Sequence, residues 1–390
     1  MKRAFAFGAL LVFHAAALVQ PALAQPALTT DIQTRLDFED GREGFQPFGP
    51  TAKISLTREA DNVKQGHAAL RFDYQVAPEQ LNAMLLTGEV GAAANIKSFR
   101  FWVKADYETN LVMVLQEHES GRYMAQFHAP ANQWQRVELG LKDFMLSNDK
   151  DDPKDPNGKL DMDMVEAVAI GDLSQLFVQA KDENLKKLFG VKTGPHAFFL
   201  DDFWASDQAL PPTPGVDAQD PAIIDAFTAP QLAWLMVNGT RLVRVTSQEL
   251  AAQGAPNTVR ERGLQAQYHQ NAGVPVGLLR GVAPGQLKDM VALKFTVATE
   301  KPLVLLVQLE EKSGGKYNTT IDLPGQQKPM DIRLVPKLFG KADDSKDDNN
   351  RLDLDQVKQI VFLDLTSLLG QGDGDNQLWL SNLRVEKEEQ

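Results

Sequence analysis

The stretch LDMDMVEAVAIGDL at residues 160–173 returns in nearly the same form as LDLDQVKQIVFLDL at residues 352–365. The two segments start 192 positions apart (352 − 160), six of their fourteen positions are identical, and most of the others exchange one apolar residue for another. Solenoid repeats recur every roughly 20–50 residues, so this period is too long for a solenoid. The spacing predicts a duplicated domain.

Three further pairs of segments extend the duplication over nearly the whole chain. They are FRFWVKAD at 99–106 with LKFTVATE at 293–300, LVMVLQEHESGRY at 111–123 with LVLLVQLEEKSGGKY at 303–317, and FFLDDFWAS at 198–206 with LWLSNLRVE at 378–386. Between the halves, SDQALPPTPGVDAQDPA at 206–222 has the proline-rich composition of a linker. We therefore expect a first domain over 25–206, a linker over 207–221 and a divergent second domain over 222–390.

The pattern along most of these segments is that of half-buried strands. Phe99, Phe101 and Val103 alternate with polar or bulky neighbours, and other segments are short β-branched runs between Gly, Asn and Asp. Helical period is confined to short pieces at 160–168 and 173–188. The sequence therefore predicts an all-β fold of two tandem jelly-roll β-sandwich domains, with short helical turns in the connections.

The repeated phrase follows an Asp-rich loop in each half, DKDDPKDPNGK at 149–159 and DDSKDDNNR at 343–351. Leu-Asp-x-Asp-x-x-Val predicts a single turn whose aspartates accept free backbone N–H groups, followed at once by an apolar strand. The first loop lacks the D-x-[DN]-x-[DN]-G spacing and closing Glu of an EF-hand, so we expect a solvated loop there.

The N-terminal segment MKRAFAFGALLVFHAAALVQPALAQ has a basic start, an apolar run and Ala22-Leu23-Ala24 before Gln25. This pattern predicts a secretory signal peptide over 1–24 and a periplasmic or secreted mature protein. A membrane anchor is the alternative, but the apolar run is short and interrupted. The chain has no cysteine and hence no disulfide. Its net charge of −12 argues against nucleic acid or an anionic membrane surface as partner, and we expect no membrane insertion.

A set of motifs in the first half resembles a known superfamily. LDFEDG at 36–41, FWVKAD at 101–106, WQRVELGLKDF at 134–144, GKLDMDMV at 158–165 and FFLDDFW at 198–204 are similar to the galactose-binding-like jelly-roll superfamily. Within it, the likeness is to family 11 carbohydrate-binding modules and to the complex I intermediate-associated protein 30 domain. The resemblance covers 33–206 well and 222–386 more loosely. It implies a non-catalytic protein that binds a polysaccharide or oligosaccharide, or alternatively an envelope protein partner.

The resemblance also implies one structural calcium in the first domain. The matching acidic residues are Asp37, Glu39, Asp40, Asp201 and Asp202. Calcium takes six to eight oxygen ligands, which suits this grouping, although solvated turn carboxylates are the alternative. In the second half Ser381 and Asn382 replace the aspartate pair, so we expect no second calcium.

For a glycan, the resemblance points to the concave sheet of the first domain. Strand alternation places polar and aromatic side chains on one expected side, namely Arg100, Trp102, Gln116, His118, Tyr123, Gln126 and His128. Aromatic rings and planar amide, imidazole and guanidinium groups are suited to sugars, but framework aromatics are the alternative for Trp102.

Catalysis is a remote alternative. Arg100, Gln116, His118 and Tyr123 are similar to the polar sets of jelly-roll polysaccharide lyases, in which such groups neutralise a uronate and move a proton. No longer lyase motif is present, and no G-x-S-x-G, P-loop, H-E-x-x-H or Rossmann motif occurs. We therefore expect no enzymatic activity.

Overall fold

The computed structural model describes residues 35–147, 153–179, 186, 188–213, 216–217, 220–255 and 258–388. The predicted signal peptide, parts of the first Asp-rich loop and parts of the predicted linker lie outside the described residues. Within the described ranges, no helix has the length and apolar character needed to cross a membrane.

The described residues of the first half form twelve strands, a short helix α1 (Ser174–Gln179) and 3-10 turns at Ala60–Asn62 and Leu141–Asp143. The strands are β1 (Arg35–Leu36), β2 (Gln46–Phe48), β3 (Lys53–Thr57), β4 (Ala69–Val76), β5 (Ala83–Thr87), β6 (Ser98–Ala105), β7 (Thr109–Glu117), β8 (Arg122–Ala129), β9 (Gln135–Gly140), β10 (Met145–Leu146), β11 (Val165–Asp172) and β12 (Gly194–Ser206).

In the second half, the part of the chain that the structure describes contains twelve more strands, a helix α2 (Ser247–Ala252) and 3-10 turns at Pro336–Leu338 and Leu354–Gln356. The strands are β13 (Ile223–Asp225), β14 (Leu235–Val237), β15 (Arg241–Thr246), β16 (Arg262–Gln270), β17 (Val276–Gly281), β18 (Met290–Thr299), β19 (Leu303–Glu311), β20 (Lys316–Leu323), β21 (Met330–Leu334), β22 (Gly340–Lys341), β23 (Val357–Asp364) and β24 (Gly374–Lys387).

These strands form four antiparallel sheets, two in each half. Sheet 1A has the order β3-β4-β12-β6-β9 with β1 on β12, and sheet 1B has the order β10-β8-β7-β11-β5-β2. Sheet 2A has the order β15-β16-β24-β18-β21 with β13 on β24, and sheet 2B has the order β14-β17-β23-β19-β20-β22. Sheets 1A and 2A therefore use corresponding strands in the same order. The prediction of an all-β fold with two sandwiches is confirmed.

Each half has its own apolar core between its two sheets. Phe101 of sheet 1A meets Phe127 of sheet 1B edge to face, with 5.6 Å between ring centroids, and Phe295 meets Phe362 in the same way at 5.3 Å in the second half. Burying one such side chain contributes about 1.5–3 kcal/mol. The strand alternation predicted this inward face correctly for Phe101, together with Val103, Leu115 and Phe127.

A third apolar cluster joins the two halves. It lies between the outer face of sheet 1B, through residues such as Val112 and Val114, and the outer face of sheet 2B, through residues such as Leu235, Val237 and Val361. The four sheets therefore stack in the order 1A, 1B, 2B, 2A. The surface of sheet 1B that points away from its own core is covered by the second half.

Hydrogen bonds also join the two halves at the edge of this junction. The segment 230–238 runs along the first half, where Leu232 accepts the N–H of His128 at 2.9 Å and Trp234 accepts the side-chain amide of Asn110 at 2.6 Å. Gln231 and Glu138 exchange two hydrogen bonds of 2.7 and 3.0 Å. Because backbone and amide groups are paired across it, the junction has the character of a folded interior.

The predicted single turn followed by an apolar strand is present at 160–168, but the helical period does not continue beyond that turn. Residues 162–164 form a turn and β11 begins at Val165, where it pairs with β5 on one side and β7 on the other. The run VEAVAI has the β-branched character of a central strand, and two neighbouring strands outweigh a short helical period. In the range 173–188, the described helical residues are those of α1 (Ser174–Gln179) together with Lys186 and Leu188.

Candidate functional site

The structure separates the residues predicted to form one glycan groove. Arg100 and Trp102 lie on β6 in sheet 1A, whereas the other five lie on, or just after, β7 and β8 in sheet 1B. Between β6 and β7 the chain crosses from sheet 1A to sheet 1B. Residues that alternation assigns to the same side of both strands therefore lie on two different sheets. The expectation of a single concave set is wrong in this respect.

The outer face of sheet 1B is occupied. Gln116 is 7% exposed, and its amide Nε2 donates to the carbonyls of Glu117 and Ser120 at 2.8 and 3.1 Å. Its Oε1 accepts from Arg122 Nε at 2.9 Å. The amide is thus satisfied by neighbouring groups of the first half and is buried away from any ligand in solution.

His128 is held inside the junction between the halves. It is 2% exposed, its Nε2 lies 3.0 Å from Glu108 Oε2 at an angle outside that of a hydrogen bond, and Glu108 also faces Arg241 of the second half at 3.6 Å. This histidine is a junction residue in the structure.

The other three predicted residues of sheet 1B are also scattered. Tyr123 belongs to the first core and donates its hydroxyl to Asp155. Gln126 is half-buried on the outer face of β8. His118 is exposed and hydrogen-bonds to Glu166 at 2.7 Å, which raises the pKa of its imidazole.

The open face of the first half is the outer side of sheet 1A. Two half-exposed indoles, Trp102 of β6 and Trp204 of β12, lie on this side, with Arg100 directly opposite Trp204 in the strand register. On the other flank, β9 supplies Arg136 opposite Trp102 and Glu138 opposite Arg100. We call these five residues the indole face.

Trp204 was missed by the strand pattern because of a β-bulge. The register between β12 and β6 shifts between Asp201 and Trp204, and Asp202 has a positive φ of 47°. The bulge adds one residue, so Phe203 points into the core and Trp204 joins Phe199 and Asp201 on the outer side. Without it, simple alternation would place residue 204 in the core. The paired aspartates in FFLDDFW were the available signal, because Asp tolerates positive φ.

Cations lie over both indoles. Lys64 Nζ is 4.5 Å from the ring centre of Trp102, and Arg100 Cζ is 5.3 Å from that of Trp204, with Arg35 Cζ at 6.0 Å. Arg100 Nε is buried without a hydrogen-bond partner among the described residues. The indole face thus combines two aromatic surfaces with a guanidinium that has an unused donor.

The repeated phrase at 160–173 and 352–365 has a structural explanation. Glu117 ends β7 and accepts the N–H of Asp161 at 2.7 Å, and Glu311 ends β19 and accepts the N–H of Asp353 at 2.6 Å. Each glutamate therefore anchors the Asp-rich loop to a strand end. The predicted role, in which the aspartates of the turn accept free N–H groups, is wrong for Asp353, which makes no side-chain cap to its 3-10 turn.

The last aspartate of each phrase is a buried acceptor. Asp172 accepts the hydroxyls of Tyr74 and Thr109 at 2.6 and 2.8 Å, as well as that of Tyr107. In the second half, the corresponding Asp364 accepts from Tyr268 at 3.0 Å, from Gln270 at 2.6 Å and from the N–H of Thr366 at 2.8 Å. Both carboxylates tie the two sheets of their own sandwich together.

The glutamate anchors predict a pH effect on stability. Burial raises the pKa of Glu117 and of Glu311 above the ordinary value of 4.5, although the backbone hydrogen bonds oppose it. The folded state therefore holds these protons more tightly than the unfolded chain, and their contribution to stability falls as pH rises from 4.5 through the raised values. We expect the double variant Glu117→Gln, Glu311→Gln to gain stability relative to the parent between pH 4 and pH 7.

Urea unfolding across this pH range measures the difference in the free energy of unfolding, with Glu43→Gln at an exposed site as control. A constant difference at all pH values would contradict the prediction.

The five carboxylates assigned to calcium by resemblance do not converge as one set. Three are engaged by neighbours, namely Asp40 by Arg42 at 2.5 Å, Asp202 by Arg35 at 2.8 Å and Asp37 by the N–H of Glu39 at 3.2 Å. The described part of the chain contains no group of three or more His, Cys, Asp or Glu side chains arranged to hold a metal ion. As a set, the five residues therefore do not fit a calcium site of six to eight oxygens.

The remaining two carboxylates bracket one loop. Glu39 accepts the N–H groups of His67 and Ala68 at 2.7 and 3.0 Å, and Asp201 accepts those of Lys64 and Gln65 at 2.7 and 2.9 Å. Asp201 Oδ1 is buried without a hydrogen-bond partner among the described residues, and burial raises the pKa of this carboxyl. A smaller calcium site built on these two residues stays a prediction.

Comparison with known proteins gives similarity to β-sandwich modules. No family model matches the chain, and no curated protein matches it. Among solved structures, a family 11 carbohydrate-binding module of the cellulosomal cellulase Lic26A-Cel5E of Clostridium thermocellum is 14% identical, with 44% of this chain and 91% of that chain covered and a TM-score of 0.32. The tandem CBM22-1-CBM22-2 domain of Paenibacillus barcinonensis Xyn10C is 13% identical, with coverages of 94% and 100% and a TM-score of 0.28. An exo-β-agarase is 13% identical, with coverages of 40% and 24% and a TM-score of 0.29. At these values the likeness carries over no ligand and no activity.

Proposed function

We propose that this chain is an exported, non-catalytic carbohydrate-binding protein whose glycan surface is the indole face of sheet 1A. The observation that carries the proposal is the pair Trp102 and Trp204 on one open sheet surface, with Arg100 between them in register. Sugar rings present apolar C–H faces that stack on indoles, and their hydroxyls accept from guanidinium groups.

The cations over the indoles do not block such a ligand. A cation–π pair at an exposed site is worth about 0.5–1 kcal/mol, so a sugar ring can displace Lys64 from Trp102 at small cost. Arg136 and Glu138 form an ion pair of 2.6 Å at the flank and offer both donors and acceptors to hydroxyls. The surface is a shallow sheet face, which suits an extended chain of sugar residues more than a single ring.

We also infer that the two halves are tandem copies of one galactose-binding-like jelly-roll domain, over 25–206 and 222–390. The matched strand orders of sheets 1A and 2A and the matched acceptor roles of Asp172 and Asp364 support this inference. Export is proposed from the sequence pattern of residues 1–24, and N-terminal sequencing of the exported protein should begin at Gln25.

Glycan binding by residues 25–390 tests the proposal, measured on an array of polysaccharides with calcium and again with chelator. Trp102→Ala and Trp204→Ala should each weaken binding by about tenfold, since each removes one stacking surface. Loss of binding in chelator alone would support the calcium site at Glu39 and Asp201.

His118→Ala is the matched control, because His118 is exposed but lies in the turn after β7, outside the indole face. It should bind like the parent protein. Folded protein that binds no glycan in either condition, or binding that depends on His118 and not on the two indoles, would overturn the proposal.

The two alternatives have less support from the structure. A protein-docking surface is expected to expose a contiguous apolar patch, but the exposed large apolar residues of the described chain are scattered singly, at Val90, Leu338 and Leu369. The four residues similar to those of lyases lie on different sheets, and two of them are buried.

A further inference from the structure

A cleft of about 790 Å³ opens at one end of sheet 2A, within the size range of small-ligand sites. The strands β13, β16, β21 and β24 and the start of α2 contribute its walls. Its lining holds three arginines (Arg260, Arg262 and Arg384), three carboxylates (Asp225, Glu261 and Asp331) and the neutral side chains of Ser247 and Asn382. The carboxylate of Asp225 is engaged inside the protein, where it accepts the N–H of Phe227 at 2.7 Å and Trp234 Nε1–H at 2.8 Å. None of these residues belongs to the indole face.

Two of the three arginines keep most of their hydrogen-bonding capacity. Arg260 is paired with Asp331 at the rim. Arg262 is 26% exposed and has one long contact of 3.5 Å to its neighbour Glu261, which is itself 87% exposed. Arg384 faces Asp220 at 3.6 Å, beyond hydrogen-bond range. Surface ion pairs of this length are worth about 0–1 kcal/mol, so a ligand can compete for both guanidinium groups.

Neutral donors complete the lining. Within the described residues, the side chains of Ser247 and Asn382 make no hydrogen bond to protein. Asn382 sits in the β-bulge of β24 with φ of 53°. A carboxylate needs several convergent donors, and Arg262 and Arg384 together with these two groups supply them.

The corresponding place in the first half carries different side chains at the bulge. The bulge of β12 holds Asp201 and Asp202, and the bulge of β24 holds Ser381 and Asn382 at the corresponding positions. Two residues after the bulged position, Trp204 of the first half is replaced by Arg384. The second half has thus exchanged a carboxylate pair for neutral groups and a guanidinium.

We propose that this cleft binds a small ligand through a carboxylate group, which Arg262 and Arg384 hold between them while Asn382 and Ser247 donate to the rest of the molecule. The volume accepts a molecule of one or two sugar rings or a small organic acid. A sugar acid and a small organic acid share the carboxylate group, and the experiment distinguishes between these two kinds of ligand. The proposal is independent of glycan binding at the indole face.

Isothermal titration of residues 25–390 with sodium galacturonate, sodium malonate and galactose tests the site. Binding of at least one acid and not of galactose is expected, and Arg262→Gln and Arg384→Gln should each raise the Kd by about tenfold or more. Binding of galacturonate without malonate identifies a sugar acid, and binding of both identifies the carboxylate alone as the determinant. The affinity should also fall when salt is raised.

Arg333→Gln is the control, because Arg333 pairs with Glu386 on the same sheet outside the cleft. It should leave the Kd unchanged, and thermal melts verify that each variant is folded. Equal binding of galactose, no binding of either acid up to about 10 mM, or a Kd that is indifferent to both arginine substitutions would overturn the proposal.

Discussion

Replacement of Asp172 by alanine should lower the free energy of unfolding by about 4 kcal/mol. Asp172 is 3% exposed and serves four donors, namely the hydroxyls of Tyr74, Tyr107 and Thr109 and the N–H of Ser174. Each buried donor that loses its acceptor costs about 1–3 kcal/mol, and water has little access to replace the carboxylate. Urea unfolding followed by far-ultraviolet circular dichroism measures the change.

Two variants serve as controls for this effect. Asp364→Ala removes the corresponding acceptor of the second half, which serves Tyr268, Gln270 and the N–H of Thr366, so a loss of the same kind is expected there. Asp375→Ala changes a carboxylate that is almost fully exposed and should have little effect. If Asp172→Ala behaves like Asp375→Ala, the buried acceptor role is wrong.

The sequence predicted those features that depend on local alternation. Phe101, Val103 and Leu115 face the core as expected, because a strand beside a single core needs one apolar face. The repeated phrase also predicted that the two halves would contain matching elements, and the strand orders of sheets 1A and 2A correspond. These inferences rest on the two-residue alternation within a strand and on direct comparison of repeated segments. Both can be read from the sequence without knowing how the strands are arranged.

The candidate site was harder to predict because its geometry depends on distant contacts. Polar residues such as Gln116 and His128 were interpreted as a ligand surface, but both are buried inside the protein, where the amide of Gln116 is hydrogen-bonded to backbone carbonyls. A signal was present, since NLVMVLQ in β7 is nearly continuously apolar, which is typical of a strand buried on both faces. The apolar pattern of β7 could not show what covers its second face. That face is covered by sheet 2B, whose strands begin about 120 residues further along the chain.

A charge inside the junction between the halves should be nearly as disruptive as the loss of Asp172. Val237 on β14 is fully buried and belongs to the cluster between sheets 1B and 2B. We expect Val237→Asp to cost about 3–5 kcal/mol, because an unpaired carboxylate has no partner in this apolar layer. Each half has a core of its own, so the second expected effect is a change from one thermal transition to two.

A partner substitution on the facing sheet makes the test specific for the junction. Val112→Asp introduces the same charge from sheet 1B, and the double variant with Val237→Asp should cost clearly less than the sum of the two, because a junction that has already opened cannot be opened again. Leu369→Asp is the control at a site that is 55% exposed, and it should leave the transition unchanged. Scanning calorimetry records both the number of transitions and their midpoints. Fully additive losses within one cooperative transition would show that the two halves do not depend on this contact, and the outer face of sheet 1B would again be a candidate ligand surface.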